Sequence, residues 1–236
     1  MVSILMSQCE VEMLRMLKST KNSAVKARTQ AINQMGALVV TAPAELRGTL
    51  HDLAAGALAA RCVSFRPGDL GHPTAAAKYA LRSLARRYRQ LTAEIRDLEK
   101  ELERLTRKIA PAFVDAFGVG PDTAATLLIT AGSNPERLRS DAAFAALCGV
   151  SPLPASSGKT NRHRLNRGGD RQANAALHRI VVVRLRYDQR TKAYMQRRTQ
   201  EGMSKLEVLR CLKRYVAREV FAFLQELGRN DLAEVA

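Results

Sequence analysis

The sequence has no tryptophan and only 5% aromatic residues, too few for an aromatic-rich β core. Abundant Ala, Leu and Arg favour helix instead. Cysteine is scarce and scattered. Cys9, Cys62, Cys148 and Cys211 form no C-x-x-C pair, which excludes a cysteine-rich zinc module and fits a reducing compartment. His51, His72, His163 and His178 show no metal-ligand spacing and read as surface or core residues. No stretch approaches the roughly 18 apolar residues of a membrane span, and Met1 to Met6 is too short for a secretory core. A soluble cytoplasmic protein is expected. The largest deficit is in negative charge: 22 Asp and Glu stand against 38 Lys and Arg, a formal net charge of +16 with pI ≈ 10.4. Such an excess points to a polyanionic partner and says nothing of fold.

The 236 residues suffice for one or two domains with a real core. Ile4 to Val40 has a helical stripe of Leu5, Val11, Leu14, Leu17, Val25, Ile32, Met35 and Val39, with Lys18, Lys21, Lys26 and Arg28 off it. Ser19 to Ser23 is a candidate interruption. Thr41-Ala42-Pro43 restarts a helix expected over Ala44 to Arg61, and Phe65 to Pro73 is a turn-rich hinge. Then comes the cleanest periodicity in the chain. Leu81, Leu84, Tyr88, Leu91, Ile95, Leu98, Leu102, Leu105 and Ile109 are spaced 3-4-3-4-3-4-3-4, an a/d seam predicting a coiled coil or a long helical hairpin. The pattern leaves open whether the partner is a second copy or a helix of the same chain such as Ile4–Val40. An exposed seam of this length would not stay solvated, so a homo-oligomer through the coiled coil is expected.

Pro111 closes that helix. Phe117-Gly118-Val119-Gly120-Pro121 is a glycine turn opening into the next helix, where free N–H groups suit a phosphate; an ordinary glycine cap is the plainer reading. Asn134-Pro135-Glu136 and Ser140-Asp141 are helix starts, and Gly149 closes the short helix Ala142 to Cys148. Short helices joined by such turns resemble helix-hairpin-helix modules. Ser156 to Arg171 is a basic loop around a serine pair. Gln172 to Arg186 reads as helix despite its Ile180–Val183 run, and a last helix runs from the Ser204-Lys205-Leu206-Glu207 capping box to about Leu227. Gly158 to Arg218 holds 17 of the 38 Lys and Arg with only a handful of carboxylates, so the charge is concentrated. The expectation is an all-α protein: a helical region over 1–74, a coiled-coil arm over 75–110, a compact domain over 111–228 and a tail over 229–236.

Several segments resemble, as an ordered set, the C-terminal half of insertion-sequence 110/116/902 transposases. They are Ser23 to Gln34, Phe117 to Gly120 with its helix, Leu147 to Pro152, Ser157 to Thr160, Leu165 to Arg171 and Gly202 to Tyr215. The resemblance covers about residues 10–225. It implies a DNA transposase in which a metal-binding carboxylate domain precedes a coiled coil and a serine domain, with DNA as substrate and an element-encoded guide RNA choosing sites. Carried over by motif, the nucleophile is Ser157. The carboxylate domain has no counterpart here, so this looks like a shortened copy. No cofactor is expected in this chain; a divalent metal is expected only with that other domain.

A serine attacking a phosphodiester faces a transition state with added negative charge. Lys159, Arg162, Arg164 and Arg167 lie near enough in sequence to supply cations, and with Gly118, Gly120, Gly168, Gly169 and Arg171 they make up the expected nucleic-acid contacts. No obvious general base stands by: Asp170 is the closest carboxylate, and His163 is a candidate by proximity. A non-catalytic DNA- or RNA-binding remnant with a dimerising coiled coil, and a scaffold with incidental charge, are the alternatives.

Overall fold

The periodic stretches fold as helices in the structure, a computed structural model that describes residues 8–134, 138–155 and 163–235. These fall into two units: residues 17–101, and residues up to 16 together with those from 102 onward. Helix α1 (Gln8–Thr41) is unbroken through Ser19–Ser23. No Gly or Pro lies in that stretch, and Lys18, Lys21 and Ala24 hold its inner face. Lys18 and Lys21 are thus on the buried stripe, where the sequence reading had placed them outside it. Val11-Leu14-Lys18-Lys21 continues a 3-4-3 spacing, and long lysine stems bury their methylenes while the head reaches out.

In the unit of residues 17–101, the expected helix over 44–61 divides into α2 (Ala44–Leu50) and α3 (Ala55–Val63). An extended Ala54 lets both turn Leu46, Leu50, Leu58 and Cys62 into one core with Met35, Val39, Leu81 and Ala85. Burial pushes the Cys62 thiol up to about 11, so it behaves as a small apolar side chain. Helix α4 (Pro73–Ile109) carries the seam. Lys21 meets Glu99 at 2.9 Å while Met35 and Val39 share a core with Leu81 and Ala85, so α1 and α4 run antiparallel. Leu81 and Ile95 are buried, and Leu84, Tyr88, Leu91 and Leu98 are half-buried. Helices α1 to α3 thus cover part of the seam, at Leu81, Leu84 and Tyr88.

The second unit holds the remaining seam positions, Leu102, Leu105 and Ile109, all buried. Its helices are α5 (Pro111–Asp115), α6 (Pro121–Gly132), α7 (Asp141–Leu147), α8 (Arg171–Tyr187), α9 (Gln189–Gln200) and α10 (Lys205–Val235). Between α7 and α8, β1 (Leu153–Pro154) pairs antiparallel with β2 (His163–Arg164), Leu153 opposite Arg164. Helix α6 is apolar nearly all round and is buried accordingly, packed on α8. Phe144 stacks on Phe221 and Phe113 on Phe223, centroids 6.2 and 5.5 Å apart, tying α7 and α5 to α10. Ile180–Val183 is helical within α8.

Capping residues end these helices where expected. Ser140 Oγ accepts from Ala143 N, and Ser204 and Glu207 make reciprocal bonds, Ser204 N to Glu207 Oε2 at 2.9 Å and Glu207 N to Ser204 Oγ at 3.3 Å. The start expected at Asn134-Pro135-Glu136 lies partly outside the described residues; Asn134 Nδ2 donates to Thr130 O. Helix α10 runs past Leu227, and α9 was not expected as a separate helix. Asp188 splits it from α8 by accepting from Arg190 N and Thr191 N, which also holds its carboxyl below the usual value, chiefly through the Thr191 hydroxyl. Among the described residues no helix is long and apolar enough to cross a membrane.

Candidate nucleic-acid interface

Two glycine-bearing segments cross at van der Waals contact in the second unit. Gly149 (φ +63°) follows α7, and Gly169 (φ +96°) precedes α8. A Cβ on Gly149 would stand 2.4 Å from Gly168 O, and one on Gly169 would stand 2.5 Å from Gly149 N and 2.6 Å from Leu147 O. Only glycine permits both the backbone angle and the approach. Asp170 N then donates to Leu147 O at 2.7 Å, and Asp170 Oδ1 caps α8 by accepting from Gln172 N and Ala173 N. The Thr130 hydroxyl of α6 reaches Asp170 Oδ2 at 3.1 Å, and Asn166 Nδ2 donates to Ser151 Oγ at 2.9 Å.

Asn174 completes the junction. Its Nδ2 donates to Cys148 O and Gly149 O, each at 3.0 Å, satisfying carbonyls left over at the end of α7. Its Oδ1 accepts from Lys213 Nζ of α10 at 2.9 Å. Burial, and secondarily the Arg210 charge, holds the Lys213 ammonium below the usual lysine value. Cys148, buried beside this junction, is pushed up to about 12 by burial and then by the Asp170 charge, so it is a packed thiol and not a nucleophile.

A cavity of about 590 Å³ opens next to the junction. Among the described residues, six cationic side chains line it: Arg164, Arg198, Arg210, Lys213, Arg214 and Arg218. The carboxylates in the lining are Glu201 and Glu207. Behind it Asp141 accepts from Arg214 Nη2 at 2.9 Å and Arg218 Nε at 3.1 Å, and Arg214 holds its carboxyl below the ordinary range. Tyr215 stands at the rim, edge-on to Tyr194 at 5.7 Å, with Arg218 over its ring. Burial, then the hydrogen bond with Tyr215, pushes the Tyr194 hydroxyl up to about 12. Helix geometry sets much of this. Arg210, Arg214 and Arg218 recur every four residues, so they share one face of α10.

The expected site residues are distributed as follows. Ser157, with Ser156, Lys159 and Arg162, lies outside the described residues. Arg164 lines the cavity, Gly168 and Gly169 build the glycine crossing, and Arg167 and Arg171 are exposed beside it. Arg171 opens α8, where the helix dipole disfavours a cation. Gly118 and Gly120 are not part of the cavity lining. Gly118 (φ +83°) meets α8 instead: an added Cβ would be 3.3 Å from Ile180 O, and Arg184 Nε donates to Phe117 O. Gly120 caps α6, whose first turn already bears Asp122, paired with Arg179 at 2.9 Å. Asp170, the nearest carboxylate in sequence, has both oxygens engaged in the junction; His163 is exposed and lines the cavity. Lys213, Asn174 and the α10 arginines were not singled out from sequence. The four-residue recurrence at 210, 214 and 218 was the legible signal for the arginines. Among the described residues no three His, Cys, Asp or Glu side chains group so as to hold a metal ion.

Residues 112–196 match the family described as Transposase IS116/IS110/IS902 family. No curated protein matches the chain.

Proposed function

From a chain that carries a segment of this transposase family, we propose a DNA recombinase part: a unit that grips DNA through its cationic cavity and loop and breaks and rejoins it through Ser157. The observation that carries the reading is convergence. Leu147–Pro152, Leu165–Arg171 and Gly202–Tyr215 lie far apart in sequence, yet they build one junction and one cationic cavity. The hairpin β1–β2 leaves from this place, and Ser157 lies in the segment between its strands. The Ser157 hydroxyl attacks phosphorus as the bond to one strand oxygen breaks; its proton passes to a base, and the leaving oxygen takes one up. One phosphoester replaces another, so the reverse reaction rejoins DNA without an energy source. Arg164 and the exposed Arg167 and Arg171, with Lys159 and Arg162, supply positive charge against the extra negative charge of the transition state. The α6 turn at Gly118–Gly120 is a second place for the DNA backbone to approach, in the manner of a helix-hairpin-helix module. The same cationic surface suits an element-encoded guide RNA.

Adduct trapping on a suicide DNA substrate, with a carboxylate nuclease domain supplied in trans, tests the assignment. Ser157→Ala should abolish the covalent adduct and leave binding nearly unchanged, since one hydroxyl adds little beside many cationic contacts. Ser156→Ala should keep the adduct. Adducts surviving Ser157→Ala, or a phosphate mapped to Ser156, would overturn it. Binding with no adduct from any variant would favour a non-catalytic nucleic-acid-binding role.

A further inference from the structure

Lys213 is a buried residue, 8% exposed, and its ammonium is held by a neutral partner, Asn174 Oδ1 at 2.9 Å. An ammonium buried without a counter-charge is unfavourable. The arrangement is fixed, because Asn174 Nδ2 is committed to two backbone carbonyls and so Oδ1 points one way. The carboxylates nearby are engaged elsewhere: Glu207 with Ser204, Glu201 with Arg198, and Asp141 with Arg214 and Arg218. Counting Asp141 with the two lining glutamates, cations still outnumber carboxylates two to one around the cavity. Orphaned donors point the same way. Among the described residues three buried side-chain nitrogens have no acceptor, and two of them, Arg198 Nε and Arg214 Nη1, belong to the cavity lining. An anion with several oxygens would answer all of these groups together. A phosphate fits that description, since its oxygens can take an ammonium and forked guanidiniums together. The volume, about 590 Å³, leaves room for the sugar attached to it.

We infer that this cavity is a phosphate site with Lys213 as its buried cation, and that the phosphate it takes is a backbone phosphodiester of the bound DNA strand. This second half rests on the recombinase reading above. Lys213 positions the strand, and Asn174 positions Lys213.

The test uses the full chain and inorganic phosphate. Phosphate should raise the thermal midpoint of the wild type and protect Lys213 from acylation, read by peptide mass spectrometry. Lys213→Met and Lys213→Gln should each weaken phosphate binding about tenfold or more. Gln retains a donor for Asn174, so it decides the matter where Met unfolds the protein, and the wild-type protection measurement needs no variant. Lys192→Met, on α9 away from this cavity, should keep the shift. No phosphate effect in the wild type, or an effect that survives both Lys213 variants, overturns the site. In a second arm, Lys213→Gln should lower the salt slope of binding to a short DNA duplex by about one unit. A slope left unchanged while phosphate binding is lost overturns the DNA assignment and leaves a site for a small phosphate compound. Failure of Ser157 adducts with both arms intact would sink the recombinase chemistry and not this site.

Discussion

Replacing Gly169 by alanine would put a methyl group where three backbone atoms already stand: Gly149 N at 2.5 Å, Leu147 O at 2.6 Å and Ala146 O at 2.9 Å. None can swing aside as a side-chain tip would. The two segments must separate, and the bond from Asp170 N to Leu147 O must lengthen with them. A φ of +96° adds strain of about 1–3 kcal/mol for any residue with a Cβ. Overpacking a close-packed contact adds about 1–3 kcal/mol. The sum, about 2–6 kcal/mol, is a large share of the stability of a typical domain. At roughly 2–4 °C per kcal/mol for a chain of this size, the midpoint should fall by about 4–24 °C. Thermal unfolding followed by circular dichroism reads this directly. Gly202→Ala is the comparison, since Gly202 has φ +91° but open space around it and carries the strain alone. The reasoning fails if Gly169→Ala is no more destabilising than Gly202→Ala.

Changing Leu91 and Leu98 to Lys should destabilise the α1–α4 pairing and leave the sedimentation mass of the native species unchanged; a fall from dimer to monomer would show that the seam joins two copies. Arg164, Arg167 and Arg171 changed singly to Gln should each weaken DNA binding across sequences and lower the salt slope by about one unit, while sequence-selective loss with the slope intact would mean base contacts. Asp141→Asn should reduce stability at neutral pH and have little effect in strong acid. The carboxyl is held below its ordinary 3.8 by Arg214, so its contribution is present above that value and lost as pH falls through the lowered one. An equal loss at both extremes of pH would refute an ionic role.

Local chemistry was legible wherever it is local. The α4 seam, the Gly120-Pro121 opening of α6, the Ser140 cap and the Ser204–Glu207 box follow from spacing within a few residues, whereas helix α5 after Pro111 and the Asp170 cap of α8 were not read. The sequence showed the α4 seam without showing its partner, because an a/d pattern specifies an apolar face and not what covers it. It set Lys18 and Lys21 outside a buried face, because hydropathy scores the ammonium and ignores the stem. The glycine motifs around 149 and 168 were visible as motifs, but their purpose, each making room for the other, needs both in one frame. Lys213 was hidden among 38 Lys and Arg residues, since burial is what sets it apart and burial is a property of the fold.

Asn174 has a consequence for how this chain can drift in evolution. One amide answers the carbonyls of residues 148 and 149 and the ammonium of residue 213, so two distant places in the sequence share a single donor-acceptor group. Asp at 174 would lose the two donated bonds, and Leu would strand both sides. A neutral change there must pass through a sequence in which α7 ends differently and residue 213 no longer carries charge. The asparagine and the lysine are therefore coupled: removing either one alone leaves the other without its partner.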